Sequence, residues 1–372
     1  MRIGMPKEIK PDEYRVGLVP ASVREAAEHG HEVFVQSGAG EVIGLHDELY
    51  RKAGATMVDS AEEIFAAADL IVKVKEPQPP EVAMLRESQI LFTYLHLAPN
   101  PALTKSLMAT GATCIAYETV TNSLGGLPLL APMSEVAGRM SVQAGAHCLE
   151  IEQGGRGMLL GGVPGTLPAQ VVVLGGGVVG TNAARVALGM EADVTILDIS
   201  LPQLSELDIH FGPALNTVFS TVDAVHEMVA KADLVVGAVL VPGGETPKLI
   251  TEAMVRDMQR GSVIVDVAVD QGGCAETSRP TTHSEPTYRL HEVVHYCVAN
   301  MPGAVARTSA FALNNATLPF TLALADKGPE VALTEDVHLR NGLNLYRGEV
   351  TYRAVAEATE MAFHEPGDLL RG

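Results

Sequence analysis

Tryptophan is missing from this chain of 372 residues, and aromatic side chains of all kinds make up only 4% of it. Set against 47% hydrophobic residues and 36 glycines, that scarcity suits closely packed strands and helices more than an aromatic binding surface. Cysteine is also sparse. Cys114, Cys148, Cys274 and Cys297 stand apart with no CxxC pair, so neither a disulfide framework nor a zinc finger is indicated, and they read as reduced thiols of a cytoplasmic protein. Positive charge is in short supply. The 26 basic residues face 45 acidic ones, and a net charge of −19 repels phosphate backbones and anionic membranes, so nucleic acid is not an expected partner. The residues from Met1 lack the uninterrupted apolar core of a signal peptide. One charge-free interval, between Arg156 and Arg185, is long enough to cross a bilayer, but Pro164, Pro168, Gln170 and many glycines break it into a loop and a strand. No membrane segment is expected.

The strongest positive signal is an apolar run from Val171 to Leu174 that leads into Gly175-x-Gly177-x-x-Gly180 and then into a helix-forming stretch from Thr181. That order is the phosphate cradle of a dinucleotide fold. Gly175 permits the tight turn, Gly177 lets backbone approach a pyrophosphate, and Gly180 lets helix and strand pack closely. The helix N-terminus then faces the anion. A second strand ends on Asp198, about twenty residues on, where the pattern places an acid for the ribose hydroxyls. A carboxylate there repels a 2′-phosphate, which puts NAD ahead of NADP.

The length allows two domains with separate cores. Apolar runs alternate with helical stretches, as in parallel sheets covered on both faces. The expected strands before residue 130 are 2–5, 32–36, 70–74, 90–94 and 113–117, forming one doubly wound domain. Ser134 is expected to cap a long helix bridging two domains. From Val171 a Rossmann series follows, with strands at 194–197, 217–220, 234–238, 263–267 and 295–299. A long helix from Arg307 to Lys327 comes next, then helical sequence with no further strand series. The expected architecture is α/β, with a Rossmann NAD-binding domain (131–304) inserted into a discontinuous flavodoxin-like or Rossmann-like catalytic domain (1–130 and 305–372).

Ligands of open α/β sheets bind beyond the carboxyl ends of the strands, so polar residues just after apolar runs are the candidates. Arg15, Lys75 and His96 occupy such places in the first domain, and Asp270 and Asn300 in the second. Two such edges facing each other would make an interdomain cleft. Singly each is unremarkable: Lys73, two positions before Lys75, shows that lysine alone proves little.

The stretch from Gly4 to Pro20, the Val74–Pro77 turn, Tyr94-Leu-His96, the residues from Pro132 to Arg139 and from Gly161 to Gly165, Asp270-Gln-Gly-Gly273 and Asn300-Met-Pro-Gly303 closely resemble the alanine dehydrogenase family along essentially the whole chain. That family shares its fold with the NAD-binding subunit of the proton-translocating transhydrogenase. Arg15, Lys75 and His96 together favour the dehydrogenase. The resemblance implies reversible oxidative deamination of L-alanine to pyruvate and ammonium with NAD, by a homohexamer. Arg15 and Lys75 would hold the substrate carboxylate, with Tyr94, Met133 and Asn300 also lining the substrate, and Met133 limiting the pocket to a methyl group. His96 would be the general acid/base, and Asp270 would stabilise developing positive charge and orient water and amine. Ser134, Gly175, Gly177, Val178, Val179, Gly180, Asp198, Ser220, Val239, Leu240, Asn300 and Met301 would contact the cofactor. Gln203 departs from a basic residue that the family often carries there. Some relatives hold a divalent ion between a glutamate matching Glu118 and a downstream histidine, where this chain has Lys327, so no metal requirement is expected.

Overall fold

The computed structural model of the chain describes residues 1–239 and 246–371. The chain forms two compact units, Met1–Met133 with Ala306–Gly372, and Ser134–Val305.

Six strands open the first unit: β1 (Arg2–Met5), β2 (Glu32–Gln36), β3 (Thr56–Val58), β4 (Leu70–Val72), β5 (Ile90–Thr93) and β6 (Thr113–Ala116). They pair in parallel in the order β3-β2-β1-β4-β5-β6. This is the Rossmann order, not the flavodoxin one. Every residue of β4, β5 and β6 is buried, because helices cover both faces of a parallel sheet and leave no polar side to alternate with. On one face Ile64 and Phe65 of the helix Ala61–Ala67, and Leu103 and Leu107 of the helix Pro101–Thr110, pack on Ile71, Leu91 and Cys114.

The second unit contains β7 (Gln170–Leu174), β8 (Asp193–Asp198), β9 (Leu215–Phe219), β10 (Leu234–Gly237), β11 (Val263–Asp266), β12 (Thr287–Leu290) and β13 (Val293–Tyr296). Their order is β12-β13-β11-β10-β7-β8-β9, parallel apart from the edge strand β12. Along β7, Val171 and Val173 enter one core and Val172 and Leu174 the other, so a run without alternation is satisfied from both sides.

The chain then returns to the first unit through the helix Ala306–Lys327. Here one sequence expectation fails. Strands β14 (Leu343–Tyr346) and β15 (Glu349–Val350) follow, and β14 adds antiparallel to β6. The hairpin turn is Arg347-Gly348, with φ of +50° and +85°, a pair of left-handed residues that suits a two-residue hairpin. Arginine at the first of them is a weak sequence signal. The fully buried Asn344 further disguises the strand; its side-chain amide is satisfied by Thr119 Oγ1 at 2.8 Å and the Gly342 carbonyl at 3.0 Å. Strands β3 and β12 were likewise absent from the sequence pattern, and β13 starts two residues before the expected strand.

Ser134 is not a helix cap. The helix runs Ala131–Cys148, and Ser134 lies in its first turn. Backbone hydrogen bonds from Leu130 and Ala131 to the Leu127 carbonyl start the turn earlier, and Pro132 fits a first helical turn, where its missing N–H is not needed.

Candidate active site

In the first sheet the chain winds from β1 outward to β3, then crosses to β4 on the other side of β1. The carboxyl ends of β1 and β4 therefore flank the switch point, where open α/β sheets bind ligands. Arg15 follows β1, Lys75 follows β4 and His96 follows β5.

Arg15 is buried, at 2% exposure, and its charge is matched locally. Glu13 Oε1 accepts hydrogen bonds from Arg15 Nε at 2.7 Å and from its backbone N–H at 3.0 Å, and Glu13 Oε2 accepts from Nη2. Burial opposes the charge on both groups. The pairing outweighs it, holding Glu13 below its ordinary carboxyl value and Arg15 above its own. Arg15 Nη1 also points to Met133 Sδ at 3.1 Å, which places Met133 beside the guanidinium.

The Lys75 side chain makes no hydrogen bond or ion pair among the described residues. Burial lowers its pKa, and the charges of Arg15 and Lys10 lower it further. Two cations held close together in a partly dry place are relieved by an anion. Lys73 behaves otherwise. It is wholly buried between Glu8 Oε2 at 3.0 Å and Glu81 Oε1 at 2.7 Å, a structural ion triad under the sheet edge.

His96 takes a left-handed backbone conformation, φ +48°, uncommon for a side chain with a Cβ. Glu118 supports the turn. Its Oε1 accepts the His96 N–H at 2.7 Å, and both oxygens approach the Leu95 N–H, at 3.1 and 3.2 Å. The imidazole stacks on Tyr94 with ring centres 6.0 Å apart, and the Tyr94 hydroxyl donates to the Leu129 carbonyl at 2.6 Å. The His96 pKa lies below its usual value. Desolvation by the surrounding protein is the main cause, although the residue as a whole retains exposed surface; Glu118 opposes the shift and Lys75 adds to it.

In the second sheet the order reverses between β7 and β10. Gly175 leaves β7 with φ +100°, and a Cβ there would come 2.9 Å from the Ala238 carbonyl oxygen and 3.1 Å from Val239, just past β10. A Cβ on Gly180 would collide with the Gly175 carbonyl oxygen, whereas one on Gly177 would enter open space. The helix Val178–Gly189 starts from Gly177 with no side-chain cap, so its first amides remain for an anion. Val178 is exposed and Val179 buried. The geometry fits a dinucleotide pyrophosphate.

Asp198 ends β8, accepting the Gly176 N–H at 2.6 Å and the Ser200 N–H at 2.8 Å. Ser220 lies beside it, its N–H donating to the Asp198 carbonyl at 2.9 Å. Gln203 Nε2 donates to the Gly176 carbonyl at 2.8 Å, so this side chain braces the glycine turn. Asp270, exposed in the short helix Val267–Gln271, accepts the Asn300 N–H at 3.5 Å; Asn300 has φ +60°, and Met301 beyond it is buried. Leu240 lies outside the described residues. Ser134 is half-buried.

The structure thus gathers Arg15, Lys75, Tyr94, His96 and Met133 at one sheet edge and the glycine turn, Asp198, Ser220 and Val239 at another. Glu13 leaves little trace in the sequence, its only signal being its place two residues before Arg15 in a segment without regular secondary structure. Glu118, which the family resemblance connects only with a metal, instead holds the His96 turn. Lys327 pairs with Glu335, at 2.7 Å.

Two family models match the chain: the alanine dehydrogenase/PNT N-terminal domain over residues 4–137 and the C-terminal domain over residues 141–353. The chain belongs to the alanine dehydrogenase/PNT family. Within that family, alanine dehydrogenase of Halomonas elongata is 60% identical over 370 residues, covering 100% of both chains. Alanine dehydrogenase of Mycobacterium tuberculosis is 50% identical over the same length and coverage. A solved structure of L-alanine dehydrogenase superposes with a TM-score of 0.94 at 52% identity, covering 97% of this chain and 99% of its own. A transhydrogenase from Sinorhizobium meliloti, 24% identical with a TM-score of 0.82 over 95% of this chain and 100% of its own, shares the fold.

Proposed function

We propose that this chain catalyses the reversible, NAD-dependent oxidative deamination of L-alanine to pyruvate and ammonium. The observation that carries the reading is the pairing of Lys75 with Arg15 beside His96 at the switch point of the first sheet, in a chain whose full-length relatives are alanine dehydrogenases.

Arg15 and Lys75 hold the substrate carboxylate, and Met133 beside Arg15 restricts the side chain to a methyl group. The Glu13 clamp fixes the guanidinium, so little rotamer freedom is lost when substrate arrives. His96, neutral near physiological pH, takes a proton during oxidation and returns it in the amination direction. Tyr94 holds the imidazole plane. Bound NAD supplies a hydride acceptor at nicotinamide C4. Oxidation of the amine leaves an iminium, whose positive charge the Asp270 carboxylate offsets; water adds to it, and the carbinolamine releases ammonia with proton transfers that His96 serves.

The amides that begin the helix Val178–Gly189 receive the pyrophosphate, and Asp198 and Ser220 the adenosine side. NAD is preferred over NADP because Asp198 repels a 2′-phosphate and Gln203, engaged with Gly176, offers no positive charge. Ser134, Val239, Asn300 and Met301 are assigned to the nicotinamide side and the groove. The half-buried Phe311, Leu318, Phe320 and Leu322 along the helix Ala306–Lys327 supply apolar surface for the homohexamer we propose. Among the described residues no helix is long and apolar enough to cross a membrane. The proposed location is the cytoplasm.

The test is NADH formation by purified protein given NAD and a panel of L-amino acids. Turnover restricted to alanine and its small neighbours supports the reading. Tight NAD binding without alanine turnover overturns it in favour of a transhydrogenase-like subunit.

A further inference from the structure

Away from the proposed active site, three side chains of the first unit converge on one point. His29 and His31 flank Gly30 in the turn between the helix Pro20–Glu28 and β2, and Asp326 is the penultimate residue of the helix Ala306–Lys327. Both rings address the one carboxylate. His29 Nδ1 lies 3.0 Å from Asp326 Oδ2 and 3.2 Å from Oδ1, and His31 Nε2 lies 2.8 Å from Oδ1. These ligand-type atoms all fall within 4.8 Å of one another.

We propose that His29, His31 and Asp326 hold a divalent transition-metal ion of the zinc class. The donor set selects the metal. Two imidazole nitrogens with one carboxylate suit zinc, cobalt, nickel or copper(II), whereas calcium and magnesium want oxygen shells. The spacing is also right. Zinc bonds of about 2.0 to 2.2 Å at tetrahedral angles put neighbouring ligand atoms about 3.3 Å apart. The N···O separations, 2.8 to 3.2 Å, are already close to that, and the imidazole nitrogens, no more than 4.8 Å apart, would close toward it around an ion.

The backbone supplies a second argument. A carboxylate near a helix C-terminus meets the negative end of the macrodipole, an unfavourable place unless a cation is present. Gly30, with φ +82° and open space where a Cβ would stand, lets the chain reverse so that two histidines two residues apart reach the same partner. The His31 side chain is only 7% exposed, whereas those of His29 and Asp326 are 41% and 37% exposed. One ligand is thus anchored in the protein, and the outer side stays open for water to complete the shell. With a metal on Nε2 the His31 proton sits on Nδ1, 3.1 Å from the Met1 amino nitrogen, so metal binding requires that amine in its neutral form, where it accepts the Nδ1–H. An ion here ties the turn before β2 to a helix end 295 residues away in the chain. It acts on stability by binding the folded form alone.

The experiment uses full-length protein without an affinity tag, stripped with a chelator and dialysed against micromolar Zn²⁺. Metal per chain is counted by mass spectrometry, and thermal melting is followed with and without the ion, for wild type, His31→Ala and Asp326→Asn. The expected result is one zinc per wild-type chain lost in both variants, with affinity down at least ~100-fold in His31→Ala, and a zinc-dependent rise in melting temperature confined to wild type. Cobalt loaded in its place should give a ligand-field spectrum that the variants lack. Equal zinc content in wild type and both variants, or no zinc in any of them, overturns the proposal.

Discussion

Glu13 clamps Arg15 two residues away, accepting from both Nε and Nη2, and each side chain is 1% exposed. Removing one partner of a buried pair strands the other charge, at a cost of about 3 to 5 kcal/mol. Glu13→Gln keeps an acceptor and loses the charge, so it should fall near the lower end in urea unfolding. In steady-state kinetics its KM for pyruvate should rise more than its kcat falls, because Arg15 loses its aim. Since the Glu13 carboxyl is held below its ordinary value, its contribution is present above the unfolded-state value and disappears as pH falls through the folded-state one. The variant should accordingly lose less stability to acid than wild type does.

His96 should carry the pH dependence of catalysis. Its pKa lies below the ordinary histidine value, so the base form needed for alanine oxidation is present at neutral pH. The kcat/KM for alanine should be level there and drop as pH falls through the lowered value. His96→Ala should cost about a hundred- to ten-thousand-fold in kcat, with NADH affinity by titration calorimetry unchanged.

Lys73 is the cation between two buried acids. Glu8 already sits above its usual value, chiefly through burial, with Lys73 restraining the shift. Lys73→Met should destabilise the chain by about 3 to 5 kcal/mol near pH 7. A carboxyl with a raised folded-state pKa favours folding below its unfolded value and loses that contribution as pH rises through the folded one. Urea midpoints at mildly acidic pH should therefore show a smaller deficit for this variant than at neutrality.

Asp198 should govern the choice of coenzyme. Asp198→Asn retains an acceptor for only one of the Gly176 and Ser200 amides, which bond different carboxylate oxygens, while removing the charge that repels a 2′-phosphate. The ratio of kcat/KM for NAD to that for NADP should fall by about tenfold or more, roughly 1.4 kcal/mol.

Much of the fold is written locally in the chain. The buried strands announce themselves as apolar runs, and the Gly175 turn can be read because strand, glycines and helix must occur in that order. What escapes is set by distant partners. Nothing near Leu343 says that β6 has an edge to cover, and Asn344 looks like a loop residue until Thr119 satisfies it. The same division applies to the candidate site. Arg15, Lys75 and His96 are visible because each closes or follows an apolar strand, whereas the clamp on Arg15 and the Glu118 support of His96 depend on side-chain geometry that spacing alone does not disclose.

The antiparallel pairing of β14 with β6 carries a consequence for biosynthesis. Residues 134–305 leave the ribosome as one uninterrupted segment, free to fold while translation continues, but the outer rim of β6 stays bare until Leu343 to Tyr346 have been made. During that interval the nascent polypeptide exposes an unpaired strand, the kind of edge that invites association between chains. A premature stop before residue 343 should yield aggregates in place of a smaller working enzyme.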